Sequence, residues 1–474
     1  MSDNADHASG HHAPSSPPDG PADQSSVRPA TSRRRFLGAA AGVVGAGALG
    51  AAGYGLRVAT EDEPAAGPVP AAASGQASGS AAALPSSGAA PASVLADPDQ
   101  RVVPFYAERQ AGITTPTQDR LMFAALDVTS TDVQDVMLLL GRWAAMAARF
   151  TEGKQVSSAE GKPAQPPVDT GEAMDLGPSS LTITVGFGAS LFDDRFGLAD
   201  KMPAALRPLG TIPGDAVMRP ELTGGDLCIQ ACADDPQVVF HAVRNLVRAA
   251  RGTAVLRWSQ LGFGRASATG AGQTTPRNLF GFKDGTNNIH ADDTSAVDQY
   301  VWVGKDTDQA WMANGSYLVA RKIRMEIESW DADDLADQQK IFGRVKTTGA
   351  PLTGGGEFTP FDLAAKGTDG SPVIDTDSHI RLASPEANGG VRILRRGYNY
   401  TDGQDPDTGK LAAGLFFIAF QRDPHAQFKV LQTRLGRSDL LNEYIAHIGG
   451  GVWACPPGLS APGDWYGKAL FGAD

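Results

Sequence analysis

Leu415-Phe416-Phe417-Ile418-Ala419-Phe420-Gln421-Arg422-Asp423-Pro424 is an apolar run closed by an Asp-Pro pair, and Phe428, Leu431 and Leu435 follow it at helical spacing. The run reads as a buried strand. Asp at an N-cap accepts hydrogen bonds from the free amides of a first helical turn, and Pro next to it has no amide to leave unpaired, so the pair predicts a helix start. The same pattern occurs earlier in the chain. Leu227 to Ala231 reads as a strand, Asp235-Pro236 as a cap, and Phe240, Val243 and Val247 stand at the same offsets from Asp235 as Phe428, Leu431 and Leu435 do from Asp423. Two strand, Asp-Pro, helix units predict a duplicated α+β chain with antiparallel sheets covered by helices.

Further elements fit this reading. Met122 to Val128 and Leu181 to Val185 read as strands. Thr131 and Gln134 suggest a capping box for a helix that carries Val133, Val136, Met137, Leu140, Trp143, Ala144 and Ala147 on one face. Lys322 to Trp330 alternates Ile323, Met325 and Ile327 with charged residues, as a strand does, and a helix follows from about Asp333 to Phe342. The stretch from Thr347 to Asp377 is rich in Gly, Pro, Thr and Asp and reads as a long loop, a kind of segment that tends to carry function.

The 474-residue length alone suggests about three domains. That is too many, because residues 1–96 are dominated by Ala, Gly, Ser, Pro and Asp and cannot bury enough apolar surface to offset their ordering entropy. The expected organisation is a leader at 1–96, a first α+β domain at 97–300 and a second at 301–474. Within the leader, Ser32-Arg33-Arg34-Arg35-Phe36-Leu37 precedes an Ala/Gly/Val run from Gly38 to Leu56. This is the twin-arginine export pattern, with a cleavage site in the small-residue tract near Ala71-Ala72-Ala73. Retention of the run as a membrane anchor is the alternative, although its Gly and Ala content makes it a weak spanner. Export to the cell envelope, periplasm or exterior is the expectation. Because this route carries folded proteins, it also favours a redox or metal cofactor.

The net charge of −12 argues against a nucleic acid partner. Three cysteines cannot form a disulfide framework. Cys228 and Cys232 share one strand face about 13 Å apart, too far for a bond, and read as core residues, while Cys455 stays unassigned. HExxH, CxxC, P-loop and GxSxG motifs are all missing from the sequence. Among the histidines, His241 and His425 follow the Asp-Pro caps and read as surface or cap residues, and His290 and His447 are ambiguous. His379 stands apart, between an acidic turn, Asp375-Thr376-Asp377-Ser378, and Ile380-Arg381-Leu382-Ala383.

Two further segments complete a specific set. Gly281-Phe282-Lys283-Asp284-Gly285-Thr286-Asn287-Asn288 places an aspartate between glycines that allow a tight turn, and Arg392-Ile393-Leu394-Arg395-Arg396-Gly397-Tyr398 is a basic strand. Taken singly, the first is an ordinary hairpin turn and the second a strand with one inward arginine. Together with His379-Ile380-Arg381-Leu382-Ala383, and in this order, they resemble the dye-decolourising peroxidases, and among these the exported branch that includes the deferrochelatase/peroxidase of a bacterial iron-uptake system. The resemblance runs from about Asp97 to the C-terminus and takes in Gly343-Arg344, Gly349-Ala350-Pro351-Leu352, Asn442-Glu443-Tyr444 and Cys455-Pro456-Pro457-Gly458.

The resemblance implies a pair of ferredoxin-like α+β domains in a barrel-like arrangement, with one haem b per chain in the second. By position, His379 matches the proximal iron ligand, Asp284 the distal carboxylate, Arg395 the distal guanidinium, and Asp439 the acid that accepts a hydrogen bond from the proximal imidazole. Gly285, Thr286 and Asn287 are implied to line the haem face, Ser384, Pro385 and Glu386 its edge, and Arg344 to pair with a propionate. Other branches carry Asn two places after the arginine. Here that place is Gly397, so no third distal side chain is implied. The implied partners are hydrogen peroxide and a bulky donor such as a dye or phenolic, with iron-uptake components and a second copy of the chain as further possibilities. Two alternatives stay open: a deferrochelatase that removes iron from haem and leaves the porphyrin intact, and a non-enzymatic secreted haem-binding protein.

Overall fold

A computed structural model describes residues 98–472, apart from 158–160, 271 and 407. The leader and its twin-arginine pattern lie outside the described residues. Among the described residues, nine strands form one sheet and seven α-helices accompany it; the strands are β1 (Arg120–Val128), β2 (Thr182–Gly188), β3 (Leu227–Ala233), β4 (Ala254–Arg265), β5 (Ser316–Met325), β6 (Leu394–Arg395), β7 (Tyr398–Gln404), β8 (Leu411–Gln421) and β9 (Ile445–Cys455). The helices are α1 (Val133–Phe150), α2 (Pro236–Ala249), α3 (Thr294–Tyr300), α4 (Ile327–Asp331), α5 (Leu335–Phe342), α6 (His379–Ala383) and α7 (Phe428–Ser438).

The duplication is visible in the strand order. The first half is ordered β2-β3-β1-β4 and the second β7-β8-β5-β9, the same antiparallel arrangement twice. β2 meets β9 and β4 meets β7, which closes the two halves into one barrel. Alternation along the strands fills it. Phe416, Ile418 and Phe420 of β8 point to the interior, where Phe123, Trp258, Phe416 and Trp453 cluster with ring centroids 5.2 to 6.1 Å apart. α1 and α2 pack outside β1 and β3, and Trp143 Nε1 donates to Leu246 O across 2.8 Å. Cys228, Cys232 and Cys455 are buried free thiols, two of them as expected and the third now placed.

Several expectations need correction. The cap of α1 is Asp132, which accepts from Gln134 N at 2.8 Å, and not Thr131. β5 begins at Ser316 and stops at Met325. Ile327 to Trp330 is helical, with the buried Trp330 ring 4.5 Å from Phe280. Asp235 caps α2 as expected, through Gln237 N and Val238 N. Asp423 also caps a turn, accepting from His425 N and Ala426 N, but regular helix starts only at Phe428. Gln427 delays it: its amide donates to Tyr300 O and Arg392 O, and those bonds hold its backbone outside the helical region. His241 is not a surface residue. It is buried on α2, bonded to Asp169 at 2.8 Å and edge-on to Phe150.

Candidate active site

The outward-facing residues of β5 and β8 form one wall of a cleft. Ile323 and Met325 alternate with inward neighbours on β5, as Leu415 and Phe417 do on β8. α6, α7, the loop at 278–287 and the segment 391–395 that runs into β6 supply the rest.

His379 is the first residue of α6, where the chain leaves the acidic turn. Its Nδ1 is bonded to Asp439 Oδ2 at 2.6 Å, and the Asp439 side chain is only 2% exposed. Asp439 follows α7 and caps the next turn, with Oδ1 accepting from Leu441 N at 2.9 Å, so both carboxylate oxygens are held. The Phe342 ring lies edge-on to His379 at 5.9 Å. Burial alone would lower the His379 pKa, but the charge and hydrogen bond of Asp439, with a further pull from Asp284, carry it above the ordinary imidazole value against the opposing effect of Arg395. The ring is 31% exposed although its neighbours enclose it, because it faces the cleft.

Asp284 and Arg395 also line the cleft, and Arg395 Nη1 donates to Asp284 Oδ1 at 2.5 Å. The aspartate sits in a tight reversal: Asp284 N donates to Pro276 O at 2.9 Å, and Gly285 has φ +101° with a backbone approach that leaves a Cβ only 3.2 Å from Ala268 N. Arg395 is fixed by Asn288, whose Oδ1 accepts from Arg395 N and whose Nδ2 donates to Arg395 O, both at 2.8 Å. Asn288 closes the glycine motif in sequence, but nothing local indicates that it clamps a strand more than a hundred residues away.

Gly285, Thr286, Asn287, Ser384, Pro385 and Arg344 line the same cleft. Glu386 is exposed at the start of a short turn and is not among the lining residues, although its neighbour Pro385 is. Arg344 is buried, with Nη1 donating to Gly349 O and Glu357 O, and burial together with nearby Arg395 lowers its pKa against the pull of Glu357. The opposite end holds a group the sequence did not single out. Arg321 and His447 line the cleft there, each bonded at 3.1 Å to Asp215, whose pKa burial raises but these two partners bring below the ordinary value. Arg396, next to Arg395, points the other way and is fully buried, bonded to Thr115 O and Gln118 Oε1.

Comparison with known proteins gives this geometry a family. Residues 110–264 match the model of the Dyp-type peroxidase N-terminal part, and residues 275–460 that of the C-terminal part. The chain belongs to the Dyp-type peroxidase family. It is 39% identical over 373 residues to the deferrochelatase of Escherichia coli strain K12, covering 78% of this chain and 87% of that one. Ferric DtpA from Streptomyces lividans is 38% identical with a TM-score of 0.73, covering 81% of this chain and 100% of that chain. A Dyp-type peroxidase from Cellulomonas bogoriensis is 38% identical with a TM-score of 0.70, covering 79% and 99%.

As a Dyp-type peroxidase the chain is a haem-binding oxidoreductase that uses peroxide and a reducing substrate. The residues of its cleft fit that cofactor. A flat, largely apolar macrocycle with an iron and carboxylate tails would need an apolar slot, a nitrogen ligand and cationic side chains in the lining. Ile323, Met325, Leu415 and Phe417 supply the first, His379 the second, and Arg344, Arg392 and Arg395 the third.

Proposed function

We propose that this cleft would hold haem b, one per chain, with His379 as the residue that would bind the iron. The observation that carries the proposal is that two carboxylate-anchored pairs, His379–Asp439 and Asp284–Arg395, face one apolar cleft. Bound haem would supply redox-active iron for the two-electron reduction of peroxide. Asp439 accepts the Nδ1 proton of His379, which leaves Nε2 as the donor atom and raises the basicity of the ring. Asp284 as carboxylate accepts a proton from incoming peroxide and returns it to the departing oxygen. Arg395 places its guanidinium beside Asp284 and stabilises the anion that forms on either side of that transfer. Arg344 holds a propionate, and the chain at Gly285, Thr286, Asn287, Ser384 and Pro385 walls the macrocycle. Bulky dyes and phenolics are the proposed donors.

The test uses purified holoenzyme. His379→Ala is expected to abolish the Soret band and turnover together. Asp284→Asn and Arg395→Leu should retain haem but lower kcat/KM for peroxide by about 10²–10⁴-fold in at least one of them. Full activity in both haem-loaded variants overturns the distal assignment.

A second reading, deferrochelatase activity in the same cleft, is favoured by the name of the relatives that match this chain over 87% of their length. Anaerobic incubation with haem should then release fluorescent metal-free porphyrin, and no release removes this reading. Export is proposed from Arg33-Arg34 in the leader. Arg33→Lys with Arg34→Lys should leave the protein in the cytoplasm in a fractionation experiment, and unaltered export of that variant counts against the twin-arginine route.

A further inference from the structure

The loop at 347–377, singled out in the sequence for its length and composition, sends one carboxylate to the base of the distal turn. Glu357 Oε2 accepts from Lys283 Nζ, and Glu357 Oε1 accepts from Thr286 Oγ1 at 3.2 Å. Lys283 and Thr286 flank Asp284 and Gly285, so a single side chain grips both sides of the turn that carries the distal acid. The grip is itself anchored. Glu357 O accepts from Arg344 Nη1 at 3.0 Å, and Arg344 Nη1 also holds Gly349 O at 2.6 Å. The Glu357 side chain is 11% exposed and that of Lys283 20%, which removes most solvent screening from the pair. Burial raises the Glu357 pKa, but bonds from Lys283, Thr275 and Thr286 and the Lys283 charge bring it below the ordinary carboxylate value.

We propose that Glu357 is a positioning residue for Asp284. Glu357 does not itself line the cleft, and acts from behind Lys283 and Thr286, which do, by fixing the backbone between them so that the Asp284 carboxylate stays on Arg395. A proton acceptor works only within hydrogen-bond reach of the group it serves, and a shift of about 1 Å there costs on the order of a hundredfold. Loosening the clamp should therefore slow the peroxide step and spare the donor step, because electrons from a bulky donor do not pass through Asp284.

The inference rests on the role proposed above for Asp284, and the experiment separates the two. Haem-loaded Glu357→Ala, Glu357→Gln, Lys283→Met and Asp284→Asn are mixed with peroxide in a stopped-flow spectrophotometer, donor oxidation is followed separately, and cyanide affinity is read from the Soret shift. The expected result for Glu357→Ala is a peroxide rate constant lowered tenfold or more, weakened cyanide binding, and a donor rate constant within twofold of the parent. Glu357→Gln keeps an acceptor for Thr286 and should lose less. Lys283→Met should reproduce that smaller loss, with Glu357→Gln plus Lys283→Met no worse than either alone. A parent-like peroxide rate in Glu357→Ala while Asp284→Asn is impaired overturns the clamp and leaves the Asp284 role standing. A parent-like rate in both overturns the Asp284 role as well. An equal loss in both half-reactions of Glu357→Ala marks it as a structural residue only. If that variant does not load haem, Thr286→Val with Lys283→Met carries the same readouts, and parent-like rates in it overturn the proposal.

Discussion

His379, the proposed iron ligand, illustrates how little of a side chain's behaviour belongs to the side chain itself. Its Nδ1 proton is shared with a carboxylate that is almost fully buried and held on its other oxygen by Leu441 N. Asp439→Asn keeps a hydrogen-bond acceptor in place and removes the charge. In the haem-loaded enzyme the reduction potential should rise and peroxide turnover fall by about 10–100-fold, read by spectroelectrochemistry and steady-state kinetics. An unchanged potential would mean that the charge of Asp439 does not reach the iron. Asp284, Arg395 and His379 were legible only as a set: singly their segments read as a hairpin turn, a basic strand and a histidine beside an acidic turn, and the three motifs in order carry the resemblance that implies their roles. Asn288 and Glu357 were not legible, because what makes them matter is a partner more than seventy residues away.

Elements were legible wherever their signals were local. The Asp-Pro pair at 235 starts α2 because the cap and the proline act within one turn. Its counterpart at 423 starts a turn that Gln427 then interrupts for the sake of two distant carbonyls, and no spacing rule contains that information. His241 was misread for the same reason. Asp169, in the connection between α1 and β2, accepts from Val156 N and Gly171 N at 2.7 Å each as well as meeting His241, so the pair pins that connection to α2. Burial raises the Asp169 pKa, but the Val156 amide, the His241 ring and the Gly171 amide bring it below the ordinary value. A depressed carboxyl contributes stability in full above the unfolded value of about 3.9 and loses it as the pH falls through the folded value. Asp169→Asn should therefore cost about 1–3 kcal/mol at pH 7 in urea melts, and the gap to the parent should close below about pH 4. A gap that stays constant down to pH 3 contradicts the ionised pairing.

The molecule as a whole is two copies of one strand order sharing a single aromatic interior. Phe123 and Trp258 come from the first copy, Phe416 and Trp453 from the second, and the rings interlock inside the barrel. The repeat was legible from residue offsets, whereas closure came only with the family resemblance, because the seams β2–β9 and β4–β7 are short and carry no pattern of their own. A shared interior predicts shared unfolding. Trp453→Ala should lower stability by about 3–5 kcal/mol and still give one transition, with circular dichroism and fluorescence coincident. Two separated transitions would show that the copies unfold independently.

The three thiols have a bearing on survival under oxidant. All lie sealed within the barrel, and burial raises their pKa values, so the thiolate that would attack peroxide is scarce. Sulfur damage during prolonged turnover should therefore begin at the thioether of Met174, which is 44% exposed, and spare the cysteines. Peptide mass mapping after an excess of oxidant would reveal a sixteen-dalton gain there first, and cysteine sulfinic acid would serve as a late marker of molecules that have already come apart.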